Sequence, residues 1–211
     1  MSIARSERAA LAEALRLAGP AASTLCEGWD AHDLAVHLWL RENELGAVLG
    51  IIGGPLADHL AQRMARLRRE RSFEDLVSAF ADGPSRWSLF AVPGLDAAAN
   101  SAEFFVHTED VRRAQPAWET REPDADYQSW AWGQVQRLAA LRLRNAGVSV
   151  VLESTASSQT RRIGTGGSIV TLVGQPTELL LLLYGRGEAA RVRYVGDPDA
   201  VERLRRVRLS T

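Results

Sequence analysis

Apolar residues at helical spacing, interrupted by glycine and proline, fill the first two thirds of this 211-residue chain and then give way to another texture. That change limits the fold more than any other feature. Residues 3–18 carry Ala9, Leu11, Leu15 and Ala18 on one helical stripe, closed by Gly19-Pro20. A second helix is expected over 30–52, with Asp30 as N-cap and Asp33 in the first turn, where an acid favours the helix N-terminus. Trp29 and Leu34 could staple its start, and Gly53-Gly54-Pro55 stops it. An Arg-rich helix over 56–71, a helix over 73–82 capped by Ser72, a long helix over 96–114 and another over 124–145 complete this part. Pro84 and Pro93-Gly94 bracket a loop, and Pro116 ends the long helix.

From Val148 the pattern turns β-like. Residues 148–152 and 169–173 read as strands, with Gly164-Thr165-Gly166-Gly167 between them as a hairpin turn. Pro176 starts a short helix through Leu183 that Gly185 ends; 190–195 reads as a strand and 197–206 as a last helix. The expected fold is therefore mainly α: a helical bundle over 1–147 and a small α+β domain over 148–211. About 64 residues bury little core alone, so the second part is expected to pack on the first.

Composition removes several function classes. All 25 basic residues are arginine, so a lysine Schiff base is excluded. The glycine-rich stretch at 164–167 has neither a P-loop lysine nor the dinucleotide spacing. Net charge is −1, which gives no general case for binding nucleic acid, and the arginines of 63–71 stand with Glu70 among them and Glu74 just after. The one cysteine, Cys26, allows no intramolecular disulfide and no CxxC pair, which points to a reducing, cytoplasmic setting. The first twenty residues lack the apolar run of a signal peptide, and the leucines of 179–183 are too few for a membrane span.

Four histidines are present, and two stand one helical turn from a carboxylate. Glu103 and His107 are i and i+4 on the long helix, with Asp110 three residues further on the same face; Asp33 and His37 repeat the spacing on the second helix. If the bundle brings these helices together, His37, Glu103 and His107 surround one point. Two imidazoles and a carboxylate suit a divalent ion such as Zn, Fe or Ni and leave coordination positions open. Asp110 or Asp33 could orient an imidazole from behind. Phe104, Phe105 and Val106 make this part of the helix apolar on most sides, so its ionisable groups need partners. Without such partners the pairs would be ordinary solvated helix faces.

Two segments resemble the mycothiol-dependent maleylpyruvate isomerase-like proteins of the DinB/YfiT-like metal-binding superfamily. Cys26-Glu27-Gly28-Trp29-Asp30-Ala31-His32-Asp33-Leu34-Ala35-Val36-His37-Leu38 is similar to the family's GW-x-x-x-D-L-x-x-H-L segment. The run from Glu103 to Ala114 is similar to its E-x-x-x-H-x-x-D-x-x-R-A segment. Gly174 to Leu180 and Tyr184-Gly185-Arg186 resemble its C-terminal domain, and the likeness is greatest to an actinobacterial branch described only as metal-binding. The resemblance implies a four-helix bundle with a sterol-carrier-like α+β domain. It places metal ligands on His37, Glu103 and His107, most simply for Zn. It also implies a low-molecular-weight thiol, mycothiol, as cosubstrate, with addition of the thiolate to a small electrophile. Isomerisation follows if the thiol leaves and conjugation if it stays. Partners would then be small molecules, with neither nucleic acid nor membrane.

Other assignments are more ordinary. Asp110 is the candidate catalytic helper. Arg112, Arg113 and Arg186 are candidates to clamp an anionic substrate, against surface or ion-pairing roles, with Glu109 at helical spacing to the first two. Cys26 could be a nucleophile or ligand ahead of a helix N-terminus, or a structural thiol. His32 and His59 read as exposed, and Trp87 and Trp118 as pocket-lining candidates among core tryptophans. A non-catalytic metal-binding regulator is the alternative to the enzyme, and a non-haem iron oxygenase a third reading that the helical scaffold argues against.

Overall fold

The structure, a computed structural model, describes residues 2–44, 57–83, 95–207 and 209. It is mainly helical, with eight helices among the described residues and one four-stranded sheet. The chain divides into two compact units, Met1–Thr120 and Arg121–Thr211.

The first unit contains α1 (Ile3–Ala18), α2 (Ala31–Asn43), α3 (Ala57–Glu70), α4 (Phe73–Asp82) and α5 (Leu95–Arg113). Its helix starts follow the capping residues. Ser72 Oγ accepts the Asp75 N–H at 3.2 Å. Asp30 and Asp33 form a reciprocal capping box, each carboxylate accepting the other's backbone N–H. α1 packs against α5 and α4, and α2 against α4 and α3. Leu11, Leu15, Leu34, Leu38, Leu76, Phe80 and Phe104 fill the centre. Leu34 through Leu38 are all buried, so α2 is enclosed on most sides and carries His37 inward with it. Arg8 is buried in this core with its guanidinium on the faces of Phe80 and Phe104, both 4.7 Å away, and paired with buried Glu42.

α2 ends at Asn43, earlier than the expected residue 52; Glu44 is extended and ion-paired with Arg63 of α3 at 2.6 Å. The Gly53-Gly54-Pro55 stop, the loop from Pro84 to Pro93-Gly94, and Trp87 lie outside the described residues. Arg68 of α3 reaches back to Asp30 at 2.7 Å and Asp33 at 2.8 Å, tying the Arg-rich helix to the α2 cap. The hydrogen bond from Arg68 holds the Asp30 carboxyl at about 2, against an ordinary 3.8. A depressed folded pKa stabilises the native state above the unfolded value and loses that contribution on acidification. The urea midpoint of the native protein should therefore fall between about pH 4 and pH 2 by more than that of Arg68→Met. Equal acid sensitivity in both would remove the pair from the stability of this cap.

The second unit holds α6 (Ala125–Arg142), β1 (Ser149–Ser154), β2 (Thr160–Ile163), β3 (Ile169–Gly174), α7 (Pro176–Leu183), β4 (Arg193–Gly196) and α8 (Pro198–Arg205). Strand order is β2-β1-β3-β4, with β1 and β3 parallel and both edges antiparallel. α6, which the sequence reading groups with the bundle, packs here on α7. Gly164–Gly167 is not a hairpin turn. It follows β2 and leads to β3, which lies on the far side of β1, so the segment must cross the start of β1. A Cβ on Gly166 would stand 3.1 Å from the Val148 and Ser149 backbone, so the crossing requires glycine there. Among the described residues no helix is long and apolar enough to cross a membrane.

Candidate metal centre

His37 and His107, from α2 and α5, meet as the spacing argument requires. Their ring centroids are 5.5 Å apart at 72°, and both residues are 7% exposed. Glu103, one turn before His107, places Oε2 3.4 Å from His107 Nε2. On the other side of the same ring, Asp110 Oδ2 lies 3.0 Å from Nδ1. Asp110 is fully buried. The imidazole is thus held between two carboxylates of its own helix, which fixes its orientation.

A tied loop closes the Nδ1 side. After α1, Ser23 bridges to Asp30, and the Leu25 N–H donates to the Asp110 carbonyl at 3.0 Å. The Thr24 hydroxyl donates to the Trp29 carbonyl at 2.8 Å and accepts the Cys26 N–H at 3.1 Å. Gly28, at φ +76°, supplies the left-handed residue the turn needs. This loop brings the half-buried Cys26 to α5, where its thiol donates to Asp110 Oδ2 at 3.2 Å and lies 3.8 Å from His107 Nδ1. Trp29, at the end of the loop, packs its ring 5.0 Å from that of His37.

Charge is distributed unequally over this group. Burial lowers the His37 pKa to about 3, and the neighbouring charge of His107 lowers it further in the same sense, so His37 is a neutral imidazole with an available lone pair. Burial also opposes charge on His107. The hydrogen bonds with Asp110, Cys26 and Glu103 outweigh it, and His107 titrates well above the ordinary imidazole range. Burial pushes Glu103 up, but the His107 bond and the charges of His107 and Arg41 bring it down to about 2. The positive charge therefore sits on His107, between Glu103 and Asp110, with the neutral His37 ring beside it. No hydrogen bond to the His37 ring is found among the described residues. His37, Glu103 and His107 meet in one place, but among the described residues their donor atoms do not form a set close enough to share one ion as they stand.

Cys26, His107 and Asp110 offer donor atoms that all lie within 4.8 Å of one another and could hold a metal ion. From sequence, Cys26 stands between ligand and structural thiol, with no link to His107. Nothing local announces its position, which depends on the Leu25–Asp110 backbone bond. Arg41 is the other residue the sequence reading passes over. It lies one turn after His37, donates to Asn100 Oδ1, and its charge acts on both Glu103 and His37.

The arginines proposed for substrate have structural partners. Arg112 and Arg113, adjacent in sequence, both reach Glu109, at 2.6 and 2.5 Å. Arg113 is buried and stacks on Trp118 at 4.6 Å. Arg112 and Trp118 line a cleft of about 660 Å³ beside α1, so Trp118 does border a pocket. Arg186, in the second unit, donates to the Tyr184 carbonyl at 2.7 Å. His59 is exposed as expected. His32 is half-buried rather than exposed, its ring 5.8 Å from Phe73 because α4 packs over that face of α2. Asp33 faces Arg68 and the helix cap, and Asp110 rather than Asp33 orients an imidazole here. Comparison with known families, with curated proteins and with solved structures gives no match.

Proposed function

We propose that this protein is a metal-dependent enzyme that uses a low-molecular-weight thiol, mycothiol by resemblance, for S-transfer to or isomerisation of a small electrophile. His37, Glu103 and His107 would hold the ion, with Zn best suited to two imidazoles and a carboxylate. One observation carries the reading. The buried Asp110 grips His107 at Nδ1, which leaves Nε2 facing Glu103, with the neutral His37 imidazole 5.5 Å from the His107 ring. Carboxylate–imidazole pairs of this kind fix the tautomer and raise ligand basicity. The two segments that resemble the isomerase-like family, and its expected DinB-like bundle and sterol-carrier-like domain, agree with it.

When bound, a zinc ion supplies Lewis acidity and lowers the pKa of a thiol that reaches it. The chain's own part is to hold the donors. Asp110 fixes the His107 ring, Trp29 packs against His37, and the hydrogen bond and charge of His107, with the charge of Arg41, keep Glu103 ionised. The enclosed faces of α2 and α5 keep the imidazoles from bulk water.

The test is thiol consumption with a panel of small activated alkenes and epoxides, using zinc-loaded protein and mycothiol. Turnover should require both metal and thiol, and His37→Ala should remove it by at least a hundredfold. Metal binding without any thiol chemistry would instead favour a non-catalytic metal-binding regulator. That second reading has one observation in its favour, the proximity of Cys26 as a further protein donor.

A further inference from the structure

His107 presents two donor sets, one to each ring nitrogen. On the Nε2 side stands Glu103, at 3.4 Å, and the His37 ring lies 5.5 Å from the His107 ring, centre to centre. On the Nδ1 side stand Asp110 Oδ2, at 3.0 Å, and Cys26 Sγ, at 3.8 Å. The sets differ in chemistry. The first offers nitrogen and oxygen, which suit borderline divalent ions, whereas the second adds a thiolate and so favours thiophilic ions.

We propose that Cys26, His107 Nδ1 and Asp110 form a separate position for a soft, thiophilic ion such as Cd²⁺ or Cu⁺, and that its occupancy excludes an ion from the His37–Glu103 side. The donor positions are already suited to it. The Sγ–Oδ2 separation is 3.2 Å, and all three donor atoms lie within 4.8 Å. Donors 2.0–2.3 Å from one ion stand about this far from each other. The loop holding Cys26 is fastened at both ends, by Leu25 to Asp110 and by Ser23 to Asp30, so the sulfur is in place before an ion arrives.

Exclusion follows from the imidazole itself. A neutral ring has one lone pair. An ion taking Nδ1 displaces the Nδ1 proton to solvent and leaves the ring's other proton on Nε2, from which it donates to Glu103. The thiol proton leaves to solvent as the sulfur coordinates. Nε2 then has no lone pair for a second ion, and a soft ion would silence the zinc position without touching His37. The Cys26 position does not rest on the enzymatic reading; the exclusion does.

The experiment is a Cd²⁺ titration followed by thiolate-to-cadmium absorption, which in a chain with one cysteine reports Cys26 alone. Native protein and His37→Ala should both saturate at about one ion per chain, and Asp110→Asn should bind at least tenfold more weakly. Absence of the absorption, or equal affinity in Asp110→Asn, overturns the proposal, since a thiol binding alone would not sense Asp110. If Asp110→Asn does not fold, cadmium-113 NMR on native protein decides. Coupling to the His107 ring and not to His37 supports the site, and the reverse overturns it. Exclusion is read by adding Zn²⁺ to the cadmium-loaded native protein. No zinc uptake supports it, and uptake of a zinc ion beside the cadmium overturns it. Failure of the His37–Glu103–His107 reading shows separately, as zinc affinity unchanged by His37→Ala.

Discussion

Glu109→Ala should destabilise the first unit by about 3–5 kcal/mol, among the largest effects expected of any single substitution. Glu109 is fully buried and is gripped by Arg112 and Arg113 from the next turn of α5. Arg113 is itself buried against Trp118, so removing the acid takes away the carboxylate that both guanidinium groups share in a dry setting. Glu109→Gln, which keeps the shape and an acceptor, should lose less. The measurement is the urea midpoint of each variant. A loss below about 1 kcal/mol for the alanine variant would mean that water reaches this group. Because Asp110 follows directly, the same substitution should also weaken metal binding through the α5 backbone.

Phe104→Ala should cost about 3–5 kcal/mol by a different route. Phe104 is 1% exposed, meets Phe80 edge-to-face at 5.2 Å, and supports the Arg8 guanidinium. Truncation leaves a void and strips one aromatic face from a buried cation. Phe104→Leu fills most of the volume and should recover at least half of the loss. Equal destabilisation by both would assign the effect to the ring–cation contact rather than to volume. Phe104 adjoins Glu103, so this core also sets where the carboxylate stands relative to His107.

The helical half is legible because its signals are local. Ser72, Asp30 and Gly19 act within one turn of themselves, and the starts of α2 and α4 follow them. The i,i+4 spacing of Glu103 and His107, and the further i+3 step to Asp110, fix which side chains share a face before any packing is known. That His37 meets them needs only the apolar character of α2, which forces it inward.

The rest depends on contacts between distant residues. Cys26 and Asp110 are 84 positions apart, and only the tied loop after α1 joins them. β2 is a short edge strand with Thr160, Arg161 and Arg162 exposed, so it carries no apolar alternation to detect. The parallel pairing of β1 with β3 turns an apparent hairpin into a crossover, a fact of topology that glycine content does not encode. Arg112 and Arg113 take the ion-pairing role with Glu109 that their spacing allows; what the spacing does not show is that both long side chains bend to the one buried acid, although their Cα positions face different ways.

Metal content of the purified native protein, measured by mass spectrometry beside His37→Ala and His107→Ala, bears most directly on the centre between α2 and α5. The proposed His37–Glu103–His107 centre should carry about one zinc ion per chain in the native protein and lose it in both variants. No ion in the native protein after reconstitution, or full retention in both variants, would contradict it. The two imidazoles and their carboxylates would then be a buried polar network of the core, with His107 carrying its proton between Glu103 and Asp110.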